Sequence, residues 1–316
     1  MKCATRDDKL HASLLTLLRG AANALLTALA LCGMTVSHAA EPQIVATGLQ
    51  FPEGTVFVGN TLYFVDYSTS NVFRLVEQKV ERVWHEDGCG ANGLVQVPAG
   101  LFVACYENGT VVHISLEGKK EETIRADTKG QPFIYPNDLA ADPRGGIYFS
   151  ASGSGATPGK VYYRRPDGHV REVATNLRYA NGLVVSLDGK TLYLAESAAN
   201  RLLEFDIAVD GSLSGQRAFV KLSDILSVRG QHAFTPDGVR IDRHGNLFIG
   251  LYRGGGFAVI SREAKLLKYV SLPGAHHANL AISPDGRTVF ITSTDDEPNG
   301  TYRGELFAVP NPMLEP

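Results

Sequence analysis

Residues 179–196 read YANGLVVSLDGKTLYLAE, and this pattern returns five more times along the chain. The other copies are FPEGTVFVGNTLYFVDY from residue 51, GANGLVQVPAGLFVACY from 90, YPNDLAADPRGGIYFSA from 135, TPDGVRIDRHGNLFIGLY from 235 and HANLAISPDGRTVFITS from 277. The third residues of successive copies lie 39, 45, 44, 56 and 42 positions apart. A period of about 40–50 residues is typical of one four-stranded propeller blade.

Each copy continues into further strand-like runs. In the fourth copy they cover 181–186, 190–196, 201–207 and 216–222, and the first two are joined by a tight turn ending in Gly189. No amphipathic helix of ten or more residues follows the first forty residues, which argues against α/β folds. The sequence therefore predicts an all-β, six-bladed β-propeller.

The sixth copy supplies only three strands, the last at 304–309. Residues 43–47 can supply the missing fourth strand, since propellers commonly close by pairing the two chain termini in one blade. Residues 40–316 are accordingly predicted to form one domain.

The N-terminus differs from the repeats. An apolar run at 21–36 follows Arg19 and ends in small residues that allow cleavage after Ala39. The run is too short to span a bilayer comfortably, which takes about 20 residues. We predict a signal peptide at 1–39 and an exported, periplasmic or secreted protein without a membrane span; an N-terminal core helix or an anchor is the alternative.

The formal net charge of −3 gives no basic excess for binding nucleic acid or an anionic membrane. Cys89 and Cys105 are the cysteines outside the predicted signal peptide, and an oxidising compartment would permit a bond between them. A symmetric hairpin would place Cys105 opposite Leu94, so the sequence leaves this disulfide open.

The long connections, at 127–136, 152–159, 223–236 and 294–303, all fall on one face of the predicted propeller, the top. Long loops on a rigid scaffold usually carry binding and catalysis. The site is therefore expected on the top face.

The innermost strand of every blade begins with an oxygen donor facing the predicted channel. The six donors are Glu53, Asn92, Asn137, Asn181, Asp237 and Asn279. Carboxylate and carboxamide oxygens at one point suit a hard divalent cation, and two carboxylates near one axis would repel each other without one. Calcium is the first choice, with zinc, magnesium and manganese as alternatives. Singly, such Asn-Gly and Asp-Gly pairs are ordinary turn signals.

These repeats resemble the family of regucalcin, gluconolactonase and related lactonases, from Leu49 to the C-terminus. The motifs are Phe-Pro-Glu-Gly-Thr-Val, Tyr-Pro-Asn-Asp-Leu, Ala-Asn-Gly-Leu and Thr-Pro-Asp-Gly-Val. The resemblance implies that a catalytic metal is bound by Glu53, Asn137, Asn181 and Asp237. In several members of the family the residue matching Asn137 contributes to the metal site, and an asparagine of blade two, where this chain has Asn92, helps to hold sugar lactones. The resemblance also implies that Asp237 is the general base.

The sequence departs from that family in two places. Blade two offers no equivalent of the arginine that holds sugar lactones. Paraoxonases, which are more distant, use an acidic residue where this chain has Gly54, although Asp138 matches their other one. The substrate and a second metal site are therefore left open.

Further candidates lie near the top face. His277 is a second candidate for proton transfer, and His276 and His232 are weaker ones; each is equally well a loop histidine without a role. The second strands end at Asp66, Tyr106, Glu196 and Tyr252, which are candidates for the pocket wall. We assign substrate binding to Asn92, Asn279 and Tyr106.

Two functions remain. The first is a metal-dependent hydrolase that opens a lactone, sugar-derived by resemblance, or a related ester. The second is a calcium-stabilised propeller that binds a small ligand or protein partner without catalysis. The same ligands would serve a structural cation, so the sequence alone does not separate the two.

Overall fold

Six antiparallel sheets of four strands each account for the six repeats, which confirms the predicted six-bladed β-propeller. The computed structural model describes residues 41–227 and 234–314. The predicted signal peptide and His232 lie outside the described residues, and their assignments stay predictions.

The first three blades follow one another along the chain. Blade one contains β2 (Pro52–Val58), β3 (Thr61–Asp66), β4 (Asn71–Val76) and β5 (Lys79–His85). Blade two contains β6 (Ala91–Val97), β7 (Gly100–Cys105), β8 (Thr110–Ile114) and β9 (Lys120–Ile124). Blade three contains β10 (Pro136–Ala141), β11 (Ile147–Ala151), β12 (Gly159–Arg164) and β13 (Val170–Leu177).

The remaining blades complete the ring. Blade four contains β14 (Ala180–Val185), β15 (Thr191–Glu196), β16 (Arg201–Ile207) and β17 (Leu213–Lys221). Blade five contains β18 (Thr235–Ile241), β19 (Leu247–Tyr252), β20 (Gly256–Ile260) and β21 (Leu266–Ser271). Blade six contains β22 (Leu280–Ile282), β23 (Thr288–Asp296), β24 (Tyr302–Pro310) and β1 (Gln43–Leu49). Two short helical turns, Ser197–Ala199 and α1 (Leu222–Ile225), lie between strands.

The N-terminal strand closes the ring as predicted. Strand β1 pairs antiparallel with β24, with Gln43 opposite Ala308 and Leu49 opposite Gly304. It is the outermost strand of blade six, so the last blade takes strands from both ends of the described chain.

The hairpin turns between first and second strands are set by side-chain caps. In blade five, Asp242 Oδ1 accepts hydrogen bonds from the backbone N–H of His244 (2.8 Å) and of Asn246 (2.9 Å). Gly245 takes a φ of +85°, which a side chain rarely tolerates. Such compact turns leave the opposite face for the long connections.

The hydrophobic core lies between neighbouring blades. One buried cluster, for example, packs Val65 and Val72 of blade one against Leu94, Leu101 and Val103 of blade two. Each second strand is therefore covered on both faces, which explains its nearly continuous apolar sequence. The packing fixes the angle between blades and, with it, the position of the innermost strands around the channel.

A disulfide joins Cys89 and Cys105, whose Cα atoms are 4.5 Å apart, and both residues are fully buried. The hairpin register expected from the sequence is wrong. Cys105 lies opposite Ala91, because Leu94 pairs with Val103 and a bulge follows Ala91. This register brings Cys89 within reach of Cys105 and ties the entry of blade two to its second strand.

Over residues 41–227 and 234–314, the structure holds no helix that is both long and apolar enough to cross a bilayer.

Candidate functional site

A β-bulge lies at the start of the innermost strand in blades one to five, and blade six shows the same one-residue shift between the His276–Thr294 bridge and the Leu280–Ile291 pair. The ladder between first and second strands shifts register at or beside the predicted oxygen donor; the five donors are Glu53, Asn92, Asn137, Asn181 and Asp237. Bulges re-aim side chains beside functional sites. Here the shift recurs at the position of each donor.

Close contact between blades explains the glycine that follows most of these donors. A Cβ on Gly182 would lie 2.2 Å from the carbonyl oxygen of Asp237, and a Cβ on Gly93 would lie 2.4 Å from that of Asn137. Only glycine fits at such distances. In these Asn-Gly pairs the glycine allows neighbouring blades to approach closely. A role as ordinary turn residues alone does not explain this close approach.

The five bulged donors line one pocket at the mouth of the channel, with a volume of about 550 Å³. Its wall is largely aromatic, and the aromatic residues are Phe51, Tyr67, Tyr106, Tyr179, Tyr252 and Tyr302. Tyr106 and Tyr252 were predicted from the strand ends. The other four, which were not predicted, precede an innermost strand, follow a second strand or begin the last strand.

Burial and mutual repulsion dominate the electrostatics of the pocket floor. Glu53 is 5% exposed and Asp237 is 7% exposed. Burial, and then the charges of Asp237 and Asp138, raise the pKa of Glu53 well above its ordinary value. Burial and the charge of Asp138 raise the pKa of Asp237 to about 8, against a partial lowering by a hydrogen bond from Asn181.

A partly buried arginine of blade five, which pairs with the buried Asp138, was not predicted. Arg240 donates from Nη1 to Asp138 Oδ2 at 3.0 Å, and from Nη2 to Asn279 Oδ1 at 2.9 Å and to the carbonyl oxygen of Thr55 at 3.2 Å. It neutralises one of three carboxylates. The other two, Glu53 and Asp237, leave a charge of about −2 on the pocket floor at a pH where both are ionised.

The floor has the donors that a hard divalent cation requires. Asn137 Oδ1 is buried and has no hydrogen-bond partner among the described residues. It lines the pocket with Asn181, Glu53 and Asp237. An unpaired carboxamide oxygen beside two repelling carboxylates is unfavourable without a cation, so these residues fit one. In the described ranges no group of three or more His, Cys, Asp or Glu forms a metal site; the predicted set instead joins two carboxylates with two carboxamides.

Asn279, predicted to bind substrate, is not brought to the pocket. Its Oδ1 accepts hydrogen bonds from Arg240 and from the Thr55 hydroxyl (3.1 Å). In blade six the donor is followed by Leu280 instead of glycine, and the innermost strand, β22, has only three residues. Asn92, by contrast, lines the pocket, and its Nδ2 donates to the carbonyl oxygen of Asn137 at 3.2 Å.

His277, predicted as a catalytic group, is fully buried and does not line the pocket. Its Nε2 donates to the carbonyl oxygen of Pro273 at 3.0 Å. His276 is 2% exposed and stacks on Tyr252, with ring centroids 4.2 Å apart. His276 therefore supports the pocket wall from behind, and neither ring is exposed to the cavity.

The other two predicted wall residues hold loops. Asp66 is buried and accepts hydrogen bonds from the backbone N–H groups of Gln50 (2.8 Å) and Thr69 (3.2 Å). Glu196 is buried, accepts from the N–H of Arg178 at 2.8 Å and pairs with Arg201. Neither carboxylate lines the pocket.

Burial of His277 has a consequence for acid stability. It lowers the pKa of the imidazole to about 4, so the unfolded chain binds a proton below pH 6.5 that the folded chain refuses. We expect wild-type protein to lose roughly 3 kcal/mol relative to His277→Gln between pH 7 and pH 4, measured by urea unfolding. His85→Gln, at an exposed ring, is the control. Equal losses in wild type and His277→Gln would contradict this.

Comparison with known proteins gives the chain its relatives. The family model described as SMP-30/Gluconolactonase/LRE-like region matches residues 51–295. A lactonase drp35 from Staphylococcus saprophyticus is 28% identical over 253 residues, which cover 75% of this chain and 70% of the relative. A gluconolactonase from Zymomonas mobilis is 25% identical over 283 residues, covering 80% and 78%.

A solved structure shows the same fold. A calcium-binding regucalcin from Agrobacterium tumefaciens superimposes with a TM-score of 0.69 at 16% identity, covering 87% of this chain and 96% of its own. The bulged innermost strands and the pocket of this chain thus sit in an architecture shared with distant relatives.

Proposed function

This chain belongs to the SMP-30/gluconolactonase/LRE-like family, and from that premise we propose that it is a metal-dependent hydrolase that opens lactones at the channel mouth. The proposal takes its chemistry from the relatives named lactonase and gluconolactonase. A calcium-stabilised propeller without activity, which would use the same ligands, is the competing function.

One observation supports the metal more than any other. The buried carboxylates of Glu53 and Asp237 line the floor of an open pocket together with Asn137, whose Oδ1 has no hydrogen-bond partner among the described residues. A floor that is unfavourable alone and accessible from solvent is what a cation-binding catalytic site requires. Asn181 completes the proposed ligand set, and Asn92 would contact substrate beside it.

A divalent cation on these ligands would supply Lewis acidity towards a lactone carbonyl. Asp237 has the proton-transfer role. Its carboxylate takes a proton from water as the water oxygen attacks the carbonyl carbon, and returns that proton to the ring oxygen as the C–O bond breaks. The product is the hydroxy acid. His277 takes no part in proton transfer, because its ring is buried outside the pocket and hydrogen-bonded to a backbone carbonyl.

We propose export as well, on the strength of the leader-like residues 1–39. A periplasmic or secreted location is consistent with the disulfide between Cys89 and Cys105.

The direct test is to assay the hydrolysis of a panel of lactones by measuring the acid that is released at constant pH. We expect EDTA to reduce turnover at least a hundredfold. Turnover should be restored by adding calcium, which is the first cation to try, or by manganese, magnesium or zinc. Turnover that survives complete chelation would contradict metal dependence. A wild type that binds cation but hydrolyses no lactone or ester would favour the non-catalytic alternative.

A further inference from the structure

Two tyrosines beside the pocket hold a backbone conformation that bulky residues avoid. Tyr135 has a φ of +57° and Tyr179 a φ of +65°, both in the left-handed region. Positive φ in a large L-residue is a strained arrangement that persists where the surroundings enforce it, often at functional sites.

The repeat shows that the backbone itself does not need a tyrosine there. Each of the two lies two positions before the donor of its blade, and the same position in blade two is Gly90, with a φ of +58°. Glycine meets the conformation without strain. The rings of Tyr135 and Tyr179 must therefore be kept for what the side chains do.

Those rings are not buried in the core. Tyr135 is 36% exposed and Tyr179 is 41% exposed. Both meet Tyr106: the Tyr135 ring stacks on it, with centroids 4.6 Å apart, and the Tyr179 hydroxyl lies 3.1 Å from the Tyr106 hydroxyl. The three form an aromatic surface, here called the tyrosine shelf, that reaches solvent.

The tyrosine shelf separates two cavities. Tyr106 and Tyr179 line the candidate catalytic pocket, and with Tyr135 they also line a neighbouring groove of about 780 Å³. The far side of the groove is the connection at 152–159, rich in glycine and small residues. A ligand with its reactive group on the pocket floor can extend over the shelf into this groove.

We propose that the tyrosine shelf is a second subsite, which binds an aromatic or extended apolar substituent on the lactone substrate. The inference rests on the proposed function and narrows its substrate class. A small free sugar lactone would occupy the floor and leave the shelf and groove unused, whereas a ring on the substituent gains stacking against exposed tyrosines. Among the described residues, Arg178 is the one charged residue that lines the groove, and a groove with so little charge suits such a substituent.

The test compares γ-phenyl-γ-butyrolactone with γ-butyrolactone, and also with D-glucono-δ-lactone. For wild type we expect the higher kcat/KM on the phenyl compound. In Tyr179→Gly the phenyl-to-unsubstituted ratio of kcat/KM should fall about tenfold, mainly through KM. Tyr179→Phe keeps the ring and should keep the ratio.

Melting temperature separates binding from structural support. Because glycine relieves the left-handed strain, Tyr179→Gly should melt no lower than wild type. A fall of more than about 3 °C together with equal losses on both lactones would mean that the ring only supports the fold. An unchanged ratio in both Tyr179→Gly and Tyr135→Gly would also overturn the proposal.

A binding measurement tests the subsite apart from catalysis. We expect 4-phenylbutanoate, titrated by calorimetry in excess calcium so that the charge of the pocket floor is neutralised, to bind wild type and to bind Tyr179→Gly about tenfold more weakly. That result would uphold the shelf even if no lactone were hydrolysed. Absence of 4-phenylbutanoate binding to wild type, with lactone turnover intact, would reject the subsite and leave the proposed function standing.

Discussion

Replacing Asp237 with asparagine should reduce lactone turnover by about 10³-fold or more and, at the same time, raise the melting temperature of the cation-free protein. The loss of turnover follows from removing both a proposed cation ligand and the proposed proton acceptor. The gain in stability follows because Asp237 is buried beside other carboxylates, a charge arrangement that opposes folding.

The stability of the cation-free protein should fall as pH rises. The pKa of Asp237 rises from 3.8 to about 8 in the folded chain, so the folded state binds a proton that the unfolded state has released. The contribution of Asp237 to stability is complete below pH 4 and is lost as pH rises towards 8. In EDTA, wild type should melt lower at pH 8 than at pH 5, and Asp237→Asn should show much less of this fall.

Calorimetry of wild type and Asp237→Asn, with and without calcium, gives the measurement. The control is Asp285→Asn, which removes a carboxylate from an exposed turn remote from the pocket floor. Calcium should raise the melting temperature of wild type and of the control but not that of Asp237→Asn. A cation-free Asp237→Asn protein that melts lower than wild type at pH 8 would refute the repulsion argument.

Replacing Arg240 with methionine should destabilise the fold by roughly 3–5 kcal/mol. Asp138 would be left as a buried charge without its partner, and Asn279 Oδ1 would lose one of its donors. The carboxylates of the pocket floor would also lose the nearby positive charge of the Arg240 guanidinium. A fall in melting temperature of about 10 °C or more is the expected measurement.

Two further variants identify the cause. Arg217→Met removes a surface arginine that pairs with Glu204 and Asp206, and should change stability by less than about 1 kcal/mol. Arg240→Met combined with Asp138→Leu should recover much of the loss, since both members of the buried pair are then apolar. If Arg240→Met lowered the free energy of unfolding no more than Arg217→Met does, the hydrogen bonds of Arg240 would not stabilise the fold.

The repeat allowed most of the fold to be predicted, because its period and phase can be read from the sequence. Six spaced copies set the blade number, and the incomplete sixth copy required a strand from residues 43–47, which β1 supplies. Five of the six aligned donors line the pocket for the same reason: equal positions in equal blades meet around one axis.

The prediction failed where a blade departs from its repeat. Asn279 is followed by Leu280 instead of glycine, and its carboxamide oxygen accepts a hydrogen bond from Arg240 of blade five. His277 precedes that strand, but its backbone bonds to Leu251 and its ring is buried. Sequence spacing gives the height of a residue in the propeller but not the direction of its side chain.

Arg240 carried a signal that alignment of the repeats could have shown. It lies three residues after the donor of blade five, and the residues at that position in the other blades are all apolar: Val56, Val95, Ala140, Val184 and Ile282. One charged residue at an otherwise apolar channel position predicts a buried counter-charge. Asp138, which replaces glycine after the donor of blade three, is that counter-charge.

Calorimetric titration of the purified wild type with calcium at pH 8, after removal of bound metal, measures whether the pocket floor binds a divalent cation. We expect one site per chain, proton uptake by the buffer on binding, and weaker affinity as pH falls below 8, because Asp237 and Glu53 must be ionised to bind. Absence of binding for calcium, magnesium, manganese and zinc, or binding to Asp237→Asn as tight as to wild type, would contradict this expectation.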